Sequence, residues 1–327
     1  MKFRWMLVLI LLPGAAVAEE NSREALAMLE KMAEASRKVN YSGTFMFQHG
    51  GQSETSSIAH FVNPAGGVLE RLETLDGPAR EVIRTNDQVT CYLPGSKVVL
   101  VDPRGSRQFS VRVEQIQEIV QHYRVVKGEM DRVAGHECQW VALLPRDALR
   151  YTRRFCAEVG TGLPLRARTS NEKNEILESF AFATLTLGGS FRRELVQSKY
   201  ALVSTKQNWR VDRSALTAGD SGDSGWIVGN QPAGFRKLME LRRSMVGKKG
   251  TVSHLVYSDG LAAVSIFIEP GAAPDGKQVL RHQGAVHIYS RVISGHTVTV
   301  LGETPAETVM RFARALEPRT TTAVQQR

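Results

Sequence analysis

Apolar residues along this chain recur first at helical spacing and then, within two positions, at every second residue. Leu26, Leu29, Met32 and Ala33 share one face of a helix predicted over 21–38, and Asn21 with Glu24 has capping-box spacing at its start. The stretch Tyr41-Ser-Gly-Thr-Phe-Met-Phe-Gln48 then alternates with period two and stops at Gly50-Gly51, the pattern of a half-buried strand. Tyr41, Gly43, Phe45 and Phe47 fall on one side of it, Met46 on the other. Further strands are predicted over 54–61, 67–75, 80–85, 88–93 and 98–101. Asn63-Pro64, Asp76-Gly-Pro78, Pro94-Gly95 and Asp102-Pro103 supply the turns. A looser helical pattern covers 109–123, and strands resume over 125–133, 138–144, 150–158, 163–170, 175–186 and 200–203. One helix, a long antiparallel meander and one embedded helical segment predict a single, highly curved sheet.

The pattern changes at 218–225, where Ala-Gly-Asp-Ser-Gly-Asp-Ser-Gly has no periodicity and reads as a linker. A smaller unit follows. A helix is expected over 232–245, with Phe235, Leu238, Met239 and Met245 on one side, then strands over 252–257, 262–268, 285–293 and 296–301. Thr304 as N-cap, Pro305 in the first turn and Glu307 closing a capping box announce a last helix. Its inner stripe is Val309, Phe312, Ala313 and Leu316, and Pro318 ends it. The expected class is α+β: an N-terminal open, highly curved antiparallel β-barrel over helices, plus a smaller C-terminal α+β domain. The expected divisions are a first domain over 19–208, a linker over 209–225, a second domain over 226–318 and a disordered tail over 319–327.

Residues 1–18 stand apart. Lys2 and Arg4 precede an apolar run from Met6 to Leu12, and Ala16-Val-Ala18 offers a small-residue cleavage site before Glu19. This is the pattern of a secretory signal peptide, with no cysteine after the cut to carry a lipid anchor. An exported, soluble chain is expected. Its net charge is +9, of which Lys2 and Arg4 contribute two. In an exported protein that charge favours acidic protein segments or lipid phosphates over nucleic acid, unless it only solubilises the surface. Arg236, Lys237, Arg242, Arg243, Lys248 and Lys249 form the densest basic cluster of the second unit and are the candidates for anionic contact. A solvated helix face explains them equally well.

Three cysteines are present. Pro145-Arg-Asp-Ala148 folds the strands around it into a hairpin that brings Cys138 almost opposite Cys156, so a cross-strand disulfide is expected in an oxidising compartment. Cys91 is then a buried free thiol, and three unpaired cysteines are the alternative. Little in the chain points to catalysis. Gly-Asp-Ser-Gly occurs at 219–222 and 222–225, like a serine-protease nucleophile turn, but in a flexible stretch with no histidine segment of that family. His282 and His287 are five apart, a poor fit to a helical metal pair, and no zinc-type spacing accompanies them. Neither enzyme chemistry nor a cofactor is expected. A curved sheet can instead hold an oily ligand, with Tyr41, Phe45 and Phe47 as lipid-pocket candidates. The competing reading makes these aromatics core filling beneath the first helix.

Several segments are similar to one known family. Tyr41-Ser-Gly-Thr-Phe45, Glu70-Arg-Leu72, Asp76-Gly-Pro-Ala-Arg-Glu-Val82, Pro145-Arg-Asp147 with Arg150-Tyr151, and Thr161-Gly-Leu-Pro-Leu165 resemble the sigma-E regulatory family called RseB or MucB. So do Gly284-Ala-Val-His-Ile-Tyr-Ser-Arg291 and Gly295-His-Thr-Val-Thr-Val-Leu-Gly-Glu-Thr-Pro305. The resemblance spans nearly the whole mature chain in matching order. It implies a periplasmic negative regulator of the envelope stress response. Such a protein binds the periplasmic region of an RseA/MucA-type anti-sigma factor, shields it from regulated proteolysis and leaves it when lipopolysaccharide or a related lipid binds. It also implies a first domain similar to the lipoprotein carriers LolA and LolB. A one-domain lipid carrier of that type is the alternative function, and an exported hydrolase a third. A homodimer is left open.

Overall fold

The computed structural model describes residues 14–86, 88–102, 115–189, 192–213, 223–244, 251–271 and 277–319. Helix α1 (Gly14–Lys38) runs through Asn21, which is therefore not its N-cap. Ala15, Ala16, Ala18, Glu19 and Glu20 are good helix formers, so nothing in that stretch stops the helix. There follow β1 (Tyr41–His49), β2 (Gln52–Val62), β3 (Val68–Thr74), β4 (Glu81–Thr85), β5 (Gln88–Leu93) and β6 (Val98–Asp102). Helix α2 (Ile116–His122) leads directly into β7 (Tyr123–Val133), then β8 (His136–Pro145), β9 (Thr152–Glu158), β10 (Pro164–Ser170) and β11 (Ile176–Leu187). Two short helices, α3 (Arg193–Val196) and α4 (Ala201–Lys206), precede β12 (Arg210–Asp212).

These strands make one 12-stranded sheet in the order β12-β6-β5-β4-β3-β2-β1-β11-β10-β9-β8-β7. Among the described residues only the β12–β6 pair of this sheet is parallel, and β12 and β7 are its edges, so the barrel stays open. Register shifts at Thr44/Phe45, Pro164/Arg166 and Lys127/Met130 mark bulges, which bend strands and add twist. The sheet curls until His136 Nε2 at one end lies 3.2 Å from the carbonyl oxygen of Leu185 on β11. Ala25, Leu29 and Ala33 recur every four residues along α1 and pack with Ile116, Ile119, Tyr123, Val125, Val141 and Leu143. Helix α1 thus covers the β7–β8 end of the inner face.

The second unit comprises β13 (Trp226–Val228), β14 (Arg236–Ser244), β15 (Thr251–Ser258), β16 (Ala263–Pro270), β17 (Val279–Gln283), β18 (Val286–Ile293) and β19 (His296–Gly302). Helix α5 (Ala306–Ala315) and β20 (Leu316–Pro318) complete it. Six strands pair in the order β14-β15-β16-β19-β18-β17, and Val309, Phe312 and Ala313 of α5 seal a core with Leu255, Val264, Ile266, Val298 and Val300.

Several expectations are corrected. Residues 236–244 form a strand, not a helix: Arg, Lys, Leu, Met and Glu are good helix formers, but pairing with β15 overrides that local preference. The reverse holds at 200–203, which lies in a helical turn started by the Ser198 hydroxyl, an acceptor for the Tyr200 and Ala201 N–H groups. Thr304 does not cap α5. Its hydroxyl is buried without a hydrogen-bond partner, the N-cap is Pro305, and Glu307 bonds Arg311 rather than closing a box. The strand β17 is absent from the sequence-based expectation, and β12 keeps residues 210–212 within the first sheet rather than in a linker. Most of the predicted signal peptide (1–13), the 214–222 stretch with the first Gly-Asp-Ser-Gly, and the tail from 320 lie outside the described residues.

Gly43 sits at the β1–β11 bulge, where a Cβ would lie 2.1 Å from the carbonyl oxygen of Thr184. The atoms it would meet, at Thr184 and Leu185, are all β11 backbone, so no flexible side chain can yield. Gly43→Ala is expected to cost about 2 kcal/mol through overpacking, read by urea denaturation; an unchanged midpoint would contradict this packing.

Candidate functional site

Residues directly opposite on neighbouring strands project to the same side of a sheet. Gly43 on β1 opposes Leu185 on β11 and Ile58 on β2. Ile58 opposes Leu72, Leu72 opposes Val82, Val82 opposes Cys91, and Cys91 opposes Leu100. An apolar row therefore crosses seven strands with a glycine notch near one end. Its side chains are half-buried, and Leu100 is 39% exposed. This is the inner face, because Phe47 and Phe180 align through Ala167 with Phe155, which packs against the α1 cluster. Beside the row runs a polar one: Tyr41, His60, Glu70 and Arg84 stand opposite one another in turn. The Tyr41 and His60 rings stack at 4.9 Å, and Arg84 Nε lies 3.5 Å from Glu70 Oε1. Burial raises the Tyr41 phenol well above its ordinary range and keeps it neutral.

Of the aromatic candidates, Tyr41 belongs to that polar row, and Phe45 and Phe47 lie on the other flank. Tyr41 and Phe45 pack partly into a cluster with Phe182, Leu163 and Leu165. Phe45 meets Phe180 at 4.9 Å, whereas Phe47 stacks on His49 at 5.1 Å, towards the second unit. Two pockets, of about 140 Å³ and 260 Å³, have mixed polar and apolar linings that include none of these three. The second pocket adjoins the row at Gly43 and Ile58. A disulfide joins Cys138 to Cys156, both fully buried, with Cα atoms 5.3 Å apart. The register is diagonal, Cys156 opposing Trp140 and Cys138 opposing Glu158. Cys91 is a free, half-buried thiol, and burial raises its pKa.

Among the described basic candidates, Arg236 and Lys237 do not share a face. Alternation along β14 sends Arg236 and Lys237 to opposite sides; Arg236 pairs with Glu118 and Lys237 with Glu240. Arg242 is exposed, Arg243 is placed only as a backbone position in β14, and Lys248 and Lys249 lie outside the described residues. Ser224, from the second Gly-Asp-Ser-Gly, donates its hydroxyl to Glu240 and so braces a chain turn. Among the described residues no group of His, Cys, Asp and Glu could hold a metal, and no helix is long and apolar enough to cross a membrane.

A polar seam, which sequence reading misses, joins the two sheets. Arg150 donates from Nε to Asp259 Oδ2 at 2.8 Å, and Tyr123 donates its hydroxyl to the same oxygen at 2.9 Å. Neither the Arg150 nor the Asp259 side chain has exposed surface. The guanidinium also reaches Asp147 and the Ala233 carbonyl and stacks over Phe235, 4.9 Å from the ring centre. Asp259 Oδ1 accepts the Leu261 and Ala262 N–H groups. Gly234, at φ +79°, makes this approach feasible, since a Cβ there would lie 2.3 Å from His122 Nε2. The seam continues through Thr308 to the Leu149 carbonyl (2.8 Å), Arg153 to Glu303 (2.9 Å), and the Ala285 N–H to Glu178 (3.3 Å). His287 Nδ1 lies 3.2 Å from the Tyr151 hydroxyl. The seam ends where the β1–β2 tip at Gly50 abuts Gly284.

An open sheet with an apolar inner face, locked to a smaller sheet, defines a two-part binding protein. Residues 24–200 match the MucB/RseB N-terminal domain and residues 220–317 the MucB/RseB C-terminal domain. The chain is 31% identical over 316 residues to the sigma factor AlgU regulatory protein MucB of Pseudomonas aeruginosa, covering 95% of this chain and 96% of that one. A solved MucA/MucB complex from Pseudomonas aeruginosa superposes with TM-score 0.73 at 28% identity, covering 90% of this chain and 99% of that chain. A second structure, MucB with MucA(peri), gives 0.71 at 28%, covering 90% and 98%. The chain belongs to the MucB/RseB family.

Asp259→Ala leaves the buried Arg150 without its main partner and is expected to cost about 3 kcal/mol in urea denaturation. A loss under about 1 kcal/mol would contradict a buried, paired seam. Glu178 behaves differently. Burial and then the Glu303 carboxylate raise its pKa, against the pull of Arg153, the Ala285 N–H and His49. A raised carboxylate stabilises the fold below its unfolded pKa and loses that contribution as pH rises through the folded value. Glu178→Gln should therefore gain stability over the parent from the ordinary glutamate range up to neutral pH, and a pH-independent difference would count against this.

Proposed function

We propose that this chain is a periplasmic regulator that holds the exported segment of a MucA-type anti-sigma factor. It shields that segment from regulated proteolysis and releases it when lipopolysaccharide or a related acylated lipid binds. The MucA-bound structures of similar chains support the first part, and the signal-peptide pattern at 1–18 supports export. The lipid part rests on one observation, the half-buried apolar row from Leu185 to Leu100. Six strand spacings of about 4.8 Å make it roughly 29 Å long, less its curvature, which suits an acyl chain. Each methylene buried there contributes about 0.8 kcal/mol, so a few suffice to bias a weak equilibrium. The neighbouring Tyr41–Arg84 row gives a polar headgroup its place. Partner and lipid then lower each other's affinity by the same factor. The second unit, fixed by a buried ion pair, favours this two-part holder over a one-domain carrier.

Leu72→Glu puts a carboxylate in mid-row and separates the two activities. Immobilised partner segment should capture mature parent and variant equally in lipid-free buffer, while added lipopolysaccharide elutes only the parent. Lipopolysaccharide should also slow alkylation of Cys91 in the parent alone. Failure of the parent to capture the segment, or equal elution of both chains, would overturn the reading.

A further inference from the structure

The outer face of the first sheet carries a concentration of charge that partner and lipid binding leave unused. Arg154 on β9 and Arg168 on β10 stand directly opposite one another. The same cross-strand line continues through Ala142 on β8, Ser179 on β11 and Gln48 on β1. Arg166 lies two residues from Arg168, and Arg124 opposes Leu144, two residues from Ala142, so four arginines emerge on one side. It is the side away from α1, whose cluster takes the alternate residues Val125, Val141, Leu143 and Phe155. Met46, 42% exposed, joins this face through Ala181 and Arg166.

Like charges placed opposite on adjacent strands repel, and the neighbours here relieve it only in part: Asp131, paired with Arg166, also feels the charge of Arg168. Arg166 pairs with Asp131 at 3.1 Å. Arg154 reaches the Asn174 side-chain oxygen at 3.3 Å, and Arg168 lies over the Trp140 ring at 5.2 Å. Among the described residues no ion pair neutralises Arg154 or Arg168. The other nearby acids, Glu172 and Glu175, sit on the β10–β11 turn, where Glu175 binds Asn171. The arrangement therefore calls for an external anion.

We propose that this face docks on a membrane surface bearing anionic phospholipid headgroups. Strands β8 to β11 are interior, so a peptide finds no free backbone edge to pair with. Neither of the two pockets opens among the four arginines. Guanidinium forks match phosphate oxygens in pairs, and a lateral array of mobile headgroups adapts to the fixed spacing of the strands. Trp140 and Met46 supply the aromatic and apolar atoms that suit an interface. Docked this way, the chain keeps its inner apolar row and its second unit turned away from the bilayer.

The test is co-sedimentation of the mature protein with vesicles of phosphatidylcholine alone or mixed with phosphatidylglycerol. Binding to the mixed vesicles only, weakening with added salt, is expected. Arg154→Gln with Arg168→Gln removes two surface cations and should weaken it about thirtyfold, while Lys237→Gln with Arg242→Gln leaves it intact. Thermal melting keeps the result interpretable: relieving the repulsion, the Arg154/Arg168 variant should melt no lower than the parent. Equal binding to both vesicle types, or unchanged binding of the variant, would overturn the proposal. So would arginine-dependent binding of inorganic phosphate or an acidic peptide without vesicle binding, which would mark a different occupant.

Discussion

A guanidinium and a carboxylate, both without exposed surface, meet between two sheets: Arg150 from the β8–β9 turn and Asp259 from the β15–β16 turn. Taking both charges out of water is costly, and the contact is tolerable only because the remaining donors and acceptors are used. Tyr123 donates to the carboxylate, the Leu261 and Ala262 N–H groups take its other oxygen, and Asp147 and the Ala233 carbonyl complete the arginine. Such a contact is satisfied in one geometry and expensive in any other. It therefore fixes the second sheet against the strand ends of the first more stringently than an apolar patch of similar size would.

That fixation gives the open sheet its meaning. A 12-stranded sheet with free edges could close on itself or fill its hollow with a longer helix. Here α1 covers the β7–β8 end of the inner face, and its Ala35 reaches the Phe182 and Leu165 cluster on β10 and β11 beside the Thr44/Phe45 bulge. The rest of that face carries the half-buried apolar row, flanked by a polar row in which His60 and Arg84 are buried. The second unit stands next to it, touching the β1–β2 tip at Gly50 and Gly284. The row and the seam share strand β11, which carries Leu185 of the row near one end and Glu178 of the seam near the other. Two binding events can therefore be coupled through packed contacts without a distant wire.

What is legible in the sequence is what lies within one strand or one turn. The period-two run at 41–48 shows that Tyr41, Phe45 and Phe47 share a side, and the Pro145–Ala148 turn brings Cys138 within reach of Cys156. The apolar row is not legible. Leu72, Val82, Cys91 and Leu100 are each an ordinary residue in an alternating strand, and they align only through successive registers. The basic cluster falls partly on a strand rather than a helix, and the alternation of β14 puts Arg236 and Lys237 on opposite sides. The seam lies between these cases. Asp147, Arg150 and Tyr151 in one half, and Gly284, His287 and Glu303 in the other, belong to the segments that carry the family resemblance. Nothing in their spacing shows that the two halves meet, because a contact across more than a hundred residues leaves no local periodicity.

The central claim is a free-energy coupling between a polypeptide partner and an acylated lipid on one rigid scaffold. Calorimetric titration around the full cycle measures it: partner segment into the free and the lipopolysaccharide-saturated protein, then lipopolysaccharide into the free and the partner-bound protein. Both ligands should bind the free protein, and each should weaken the other by the same factor, on the order of tenfold or more. Affinities unaffected by the other ligand would contradict the account.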